Sequence, residues 1–176
     1  MVKTVYLVRH CQAEGQELEA ELTEKGEVQA IELMHFFEKR NIKHIISSPY
    51  MRAKQSILPA ADRLGLQVEI DSRLSEHRLI SKNLNDWIER LEDSIRDKEL
   101  KMAEGESSRE VTKRAMEVLE AATDGTVLAT HRNTMGLLLL HLDGMQGLKE
   151  WAGFSHPDVY EVKVKKDDYE VRRIWN

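Results

Sequence analysis

The stretch TVYLVRHCQAEGQ at residues 4–16 decides how this chain is read, because a β-rich apolar run passes without a break into Arg9-His10. A guanidinium beside an imidazole is uncomfortable in a core and sits well where something negative arrives. The same pattern recurs twice. HIISSPYMR at residues 44–52 runs from a short apolar stretch to Arg52, and TVLATHRNTMGLLLLHL at residues 126–142 runs through His131 into a helix-like segment. Each reads as a strand that ends in a polar turn and feeds a helix.

The intervening segments complete the alternation. Thr23 fits a helix N-cap, with Ala30, Leu33, Met34 and Phe37 on one side of the segment behind it. A second helix is expected from about Tyr50 to Leu64, and LQVEI at residues 66–70 is a third strand candidate. Residues 84–100 place Leu84, Trp87, Ile88, Leu91 and Ile95 on a helical stripe, and residues 107–122 do the same with Val111, Ala115, Val118, Leu119 and Ala122. The end, VYEVKVKKDDYEVRRIW, alternates around an Asp-Asp turn and reads as a hairpin. Strands alternating with helices predict an α/β fold: a three-layer α/β/α sandwich with a mostly parallel sheet and an antiparallel edge strand. No repeat or linker interrupts it, so residues 1–176 are expected to form one domain.

Composition narrows the classes of function. The chain has 176 residues, 41% of them apolar, which suits a single core. With 26 Lys and Arg against 31 Asp and Glu it lacks the basic surface that tracks nucleic acid. The apolar run MGLLLLHL is too short to span a bilayer, and the first four residues leave no room for a signal peptide. Cys11 is the lone cysteine, which excludes an intramolecular disulfide and points to a reducing compartment. The expectation is a cytoplasmic protein without nucleic-acid or membrane partners. Nothing in the sequence sets the oligomeric state.

In doubly wound sheets, ligands bind beyond the carboxyl ends of the strands. If the strands here are parallel, Arg9, His10, Arg52 and His131 converge on one rim. Two guanidiniums and two imidazoles there match a tetrahedral dianion, since Arg offers permanent, bidentate donors for phosphate oxygens. One imidazole, kept neutral by its cationic neighbours, can attack phosphorus, and the other can remain a donor. A proton source for the leaving oxygen is still needed. Glu76, in the loop after LQVEI, lies on the same predicted rim. Taken singly, each residue has an ordinary explanation: a strand-end pair, a helix-surface charge, a backbone-bonded histidine, one Glu among many. Their joint placement at strand ends is what points to an anion site.

Here the sequence resembles the histidine phosphatase superfamily, the phosphoglycerate mutase-like proteins. LVRHCQA is similar to the family's opening motif, LTEKG to the start of its first helix, and SSPYMRAKQSI to its Ser-Ser-x-x-x-Arg-Ala segment. EGESSREVTKR and VLATHRNTMGLLL resemble its Gly-Glu-Ser and second-histidine segments, all in the family's order. The resemblance implies that His10 is the nucleophile, that Arg9, Arg52 and His131 hold the phosphoryl group, and that Glu76 is the proton donor. A family Asn contacting phosphate falls on Gln16. No metal and no cofactor is implied, and the partner is a small-molecule phosphate ester. Residues 77–105 would form a short cover. Exposure of the phosphohistidine to water then favours a phosphatase, with a phosphoglycerate mutase-type transferase as the alternative.

Two departures from the family stand out. Both histidines are usually followed by Gly, whereas Cys11 and Arg132 follow them here. Their loss also leaves open a non-catalytic phospho-ligand binding module. Arg132 reads either as a third cation at the rim or as a side chain in solvent. Cys11 reads either as a thiol activated by the cationic pocket or as a small packing residue. A cysteine-dependent phosphatase fails on spacing, because Glu17 stands where that chemistry needs Arg. Of the other histidines, His35 and His44 read as surface residues and His141 as a buried or half-buried structural one. His77 and His156 are possible neighbours of the site.

Overall fold

The unbroken apolar run Val5-Tyr6-Leu7-Val8 requires β1 (Lys3–Arg9) to be covered on both faces, since successive side chains point to opposite sides. Tyr6 and Val8 join one hydrophobic cluster with residues of α1 (Glu24–Glu38) and α2 (Met51–Leu64). Val5 and Leu7 join another with residues of α4 (Ser108–Ala121) and α5 (Arg132–Asp143). These relations come from a computed structural model, which describes residues 1–78, 87–101 and 105–176. The remaining elements are β2 (His44–Ser47), β3 (Val68–Ile70), α3 (Trp87–Arg96), β4 (Thr126–Thr130), α6 (Met145–Ala152), β5 (Asp158–Lys165) and β6 (Asp168–Arg173).

The sheet order is β3–β2–β4–β1–β5–β6. β1, β2, β3 and β4 are mutually parallel, and β5 runs antiparallel to β1. The expected α/β/α layering is therefore present. The C-terminal hairpin adds two strands rather than one edge strand: β5 is interior and β6 forms the edge. Its turn falls on Lys166 and Asp167.

Local signals account for several boundaries. Thr23 caps α1, its hydroxyl accepting the Gly26 N–H at 2.9 Å. A Cβ at Gly26 would stand 2.0 Å from the Gln12 carbonyl oxygen, so the glycine of LTEKG lets α1 press onto the segment that leaves β1. Gly65 ends α2 in the left-handed region at φ 67°. Ser107 and Glu110 form a capping box that starts α4.

Two elements escaped the sequence reading: the short 3-10 turn Ser72–Leu74 and α6. Trp151 of α6 lies against Gly136, where a Cβ would meet the indole at 2.2 Å. The third cluster joins Leu91 of α3, Val111, Leu137 and Trp151. Leu91 is thus a packing residue, while residue 84 and the side chains of residues 87 and 88 lie outside the described residues. So do residues 79–86 and 102–104 of the expected 77–105 cover.

Candidate active site

Parallel strands deliver their carboxyl ends to one rim. β1 ends on Arg9 and is followed by His10; β2 ends on Ser47 and is followed by Ser48; β4 ends on Thr130 and is followed by His131. β5 runs the opposite way, with Asp158 paired to Arg9, so its start brings His156 to the same place. Arg52 lies in the first turn of α2.

His10 is buried at 4% exposure. Its Nδ1–H donates to the Cys11 carbonyl at 2.7 Å, which leaves Nε2 with its lone pair. Arg52 Nε donates to that Nε2 at 3.2 Å. Burial, reinforced by Arg52, Arg9 and His156 and partly offset by the Cys11 bond, pushes His10 down to about 3. The ring is held neutral and carries its lone pair toward cations.

Both arginines are fixed by backbone carbonyls. Arg52 Nη1 donates to the Gln16 and Glu17 carbonyls at 3.1 Å each, and Nη2 reaches Gln16 Oε1 at 3.5 Å. Arg9 Nη1 donates to the Phe154 and Ser155 carbonyls at 3.2 Å each, and Nη2 to His156 Nε2 at 2.9 Å. Buried Asp158 braces that loop by accepting the Ser155 N–H at 3.0 Å. Burial and the charge of Arg132 lower Arg9 to about 10, where it remains cationic at neutral pH. Arg132 is half-buried and also presses on His156, so the rim reading describes it better than the solvent reading. It opens α5 in ordinary helical backbone, so the missing glycine leaves no strain there.

His131 is fully buried, 5.2 Å from His10 between ring centroids. The Tyr50 N–H donates to Ser48 Oγ at 3.2 Å, and the same oxygen lies 2.7 Å from His131 Nε2. That leaves Nδ1, which has no hydrogen-bond partner among the described residues, as the ring nitrogen open to a ligand. Burial first, then the nearby His10, Arg52, Arg114 and Arg9, hold His131 well below its ordinary value.

Glu76 docks on the first turn of α5, directly after His131. Its Oε2 accepts the Asn133 N–H at 3.1 Å. Its Oε1 accepts the His77 N–H at 2.8 Å and the Thr134 N–H at 2.9 Å, while the Thr134 hydroxyl donates to the Ser75 carbonyl at 2.8 Å. Its charge raises both Arg9 and Arg52, which places the carboxylate within electrostatic reach of the whole cluster.

All six residues named from sequence, Arg9, His10, Gln16, Arg52, Glu76 and His131, meet around this rim. Sequence reasoning missed Ser48 and the two carbonyls that hold Arg9, and did not place His156, whose ring stands 5.6 Å from His10. The antiparallel hairpin was the available signal, because its first strand starts beside the end of β1. The activated-thiol reading of Cys11 is corrected. Cys11 is fully buried in the apolar cluster, and burial pushes its thiol up to about 12. His77 is buried with Nε2 donating to the Glu106 carbonyl at 2.9 Å. His35 and His44 are exposed as expected, and His141 is exposed rather than buried. Among the described residues, no group of three or more His, Cys, Asp or Glu side chains could hold a metal ion, and no helix is long and apolar enough to cross a membrane.

Comparison with known proteins shows the family and the fold. The profile of the histidine phosphatase superfamily (branch 1) matches residues 5–176. A protein of Escherichia coli O1:K1 / APEC named "Probable phosphoglycerate mutase GpmB" is 30% identical over 84% of this chain and 77% of its own length. A protein of Hydrogenobacter thermophilus, named as a candidate phosphoserine phosphatase, is 42% identical over 82 residues. That match spans 43% of this chain and only 40% of the relative. The solved structure of a mycobacterial glucosyl-3-phosphoglycerate phosphatase shares the fold at a TM-score of 0.76 and 21% identity, covering 100% of this chain and 99% of its own.

Proposed function

Because the chain belongs to the histidine phosphatase superfamily (branch 1), we propose that it hydrolyses phosphate monoesters through a phosphohistidine formed on His10. The observation that carries this reading is the state of one ring. His10 is neutral, its Nδ1–H is spent on the Cys11 carbonyl, and its Nε2 lone pair faces Arg52. A nucleophile of this kind needs no base to activate it.

The ester phosphoryl group takes up donors from Arg9, Arg52 and the Nδ1–H of His131, with Gln16 at the outer edge. His10 Nε2 attacks phosphorus as the ester P–O bond breaks, and Glu76 gives its proton to the departing oxygen. A water molecule then attacks the phosphohistidine, its proton passes to Glu76, and the P–N bond breaks. The products are the free alcohol and inorganic phosphate. Positioning and charge stabilisation by the arginines carry most of the rate, as is general for phosphoryl transfer.

The substrate class is a small phosphorylated metabolite. The relative named as a phosphoglycerate mutase favours a second reading, return of the phosphoryl group to another hydroxyl of the substrate. The segment expected to cover the site, residues 77–105, is short in sequence; a cover of that length would leave the phosphohistidine open to water, which supports hydrolysis instead. A panel of phosphate esters, with 3-phosphoglycerate included and no metal added, tests both. Phosphate release that vanishes in His10→Ala supports the hydrolase. Isomerisation outrunning release supports the transferase, and tight binding of phosphate without turnover supports neither.

A further inference from the structure

Glu76 sits in an irregular segment, yet proton transfer requires its carboxylate to stay fixed to within a fraction of an ångström. The first turn of α5 holds its oxygens, and a second set of contacts holds the backbone that carries it. Arg114, on α4, presents its guanidinium to the back of residues 73–76. Its Nη1 donates to the Arg73 carbonyl at 2.6 Å and to the Ser75 carbonyl at 2.9 Å, and Nη2 donates to the Glu76 carbonyl at 3.3 Å. The remaining edge of the same fork holds Glu106: Nε to Oε2 at 2.8 Å and Nη2 to Oε1 at 3.1 Å.

Glu106 grips the far side of Glu76. Its Oε1 accepts from Arg78 N at 3.3 Å and Arg78 Nε at 3.1 Å, and its own N–H donates to the Arg78 carbonyl at 3.1 Å. Its carbonyl accepts from His77 Nε2 at 2.9 Å. The base of this clamp is rigid, because Glu106 directly precedes the capping box that opens α4 and Arg114 lies eight residues further along that helix. Glu106 is 7% exposed. Burial raises its carboxyl, but the bonds from Arg114 and Arg78 prevail and hold it below its ordinary value.

We propose that the Glu106–Arg114 ion pair is the positioning unit of the site: it clamps residues 73–78 from behind so that the carboxylate of Glu76 faces the departing oxygen. Neither residue reaches the reacting atoms. The proposal rests on the reading of Glu76 as proton donor, and it assigns a task to the EGES segment that the proposed chemistry leaves unused. A buried ion pair is by itself weak evidence for stability, since hydrophobic replacements often fold as well. What marks this one is that five of its bonds go to the backbone on either side of a single acid.

Arg114→Lys keeps a cation for Glu106 but cannot bridge three carbonyls and a carboxylate together. Glu106→Gln keeps the shape and removes the charge. Both are compared with Glu76→Gln, after circular dichroism confirms the fold, on an alkyl phosphate and on p-nitrophenyl phosphate, whose leaving group needs little protonation. A mispositioned acid costs kcat on the alkyl ester about 10-fold or more, while the nitrophenyl ester loses less than about 3-fold. In the Glu76→Gln background either substitution adds less than about 2-fold, because the acid it serves is already gone. Equal loss on both esters, or losses that multiply in the double variant, overturns the proposal while leaving the phosphatase standing. A His10→Ala variant as active as the unaltered chain overturns both.

Discussion

Ser48 Oγ lies 2.7 Å from His131 Nε2, which leaves Nδ1 as the nitrogen of that buried ring without a partner among the described residues. In the proposed chemistry the Ser48 hydroxyl, which already accepts the Tyr50 N–H, gives its proton to Nε2 and leaves Nδ1–H for the substrate. Ser48→Ala is expected to cost about 1–3 kcal/mol of stability, because it leaves buried groups unsatisfied. Turnover is expected to fall about 10-fold with little change in KM, since the donor matters most when charge develops on the phosphoryl oxygens. Steady-state kinetics on the folded variant check this. Full activity would show that the tautomer is set elsewhere.

His10 gives the acid side of the pH response. Its folded value, about 3, lies below the ordinary imidazole value of about 6.5, so on acidification the unfolded chain takes up a proton that the folded one refuses. Stability is therefore unaffected by this group above pH ~6.5 and declines as pH falls from there toward 3. His131 is displaced in the same direction and steepens the decline. Denaturant unfolding between pH 7 and 5 should show a shallower slope for His10→Ala than for the unaltered chain. Identical slopes would mean that the ring is not held neutral. Activity follows the same logic, and kcat/KM should not lose a nucleophile as pH drops through 6.5.

Cys11 should be inert. It is fully buried, with its thiol pushed up to about 12, and so presents no thiolate at neutral pH. Iodoacetamide is expected to leave the native chain unlabelled and to label it fully in denaturant, as read by intact mass. Cys11→Ser should cost no more than about 1 kcal/mol, because Ser56, which already bonds the thiol, offers the hydroxyl a partner. Rapid labelling of the native protein would contradict this assignment.

Gly26 is a packing device on which the start of the site depends. A methyl there would meet the Gln12 carbonyl oxygen at 2.0 Å, and that oxygen already accepts the Thr23 N–H at 3.1 Å. Gly26→Ala should destabilise by about 2 kcal/mol or more, measured by urea unfolding, because the clash is with backbone and cannot be relieved by a rotamer change. A surface control such as Lys25→Ala should be nearly neutral.

The sequence carried the fold wherever period and burial coincide. The unbroken run of Val5, Tyr6, Leu7 and Val8 demanded a doubly covered strand, and Thr23 announced α1. The cluster at the rim was legible for the same reason, since parallel topology turns distant strand ends into neighbours. What stayed hidden depends on contacts made after folding. Ser48 is an ordinary serine until His131 lies beside it, and His156 reaches the rim because β5 runs antiparallel to β1. Arg114 has the spacing of any surface helix residue, and only the folded path of residues 73–76 together with Glu106 gives its guanidinium five acceptors. The same holds for Cys11, where sequence showed a thiol next to cations but could not show that its side chain turns into the apolar layer.

The central claim is a covalent one, that phosphorus becomes bonded to Nε2 of His10. Rapid mixing with a phosphate ester, a quench in base that preserves phosphohistidine, and mass spectrometry of the proteolysed chain test it most directly. The account predicts an acid-labile phosphoryl group on the peptide carrying residues 4–16, absent from His10→Ala. A phosphoryl group on any other residue, or turnover in His10→Ala matching that of the unaltered chain, would contradict it.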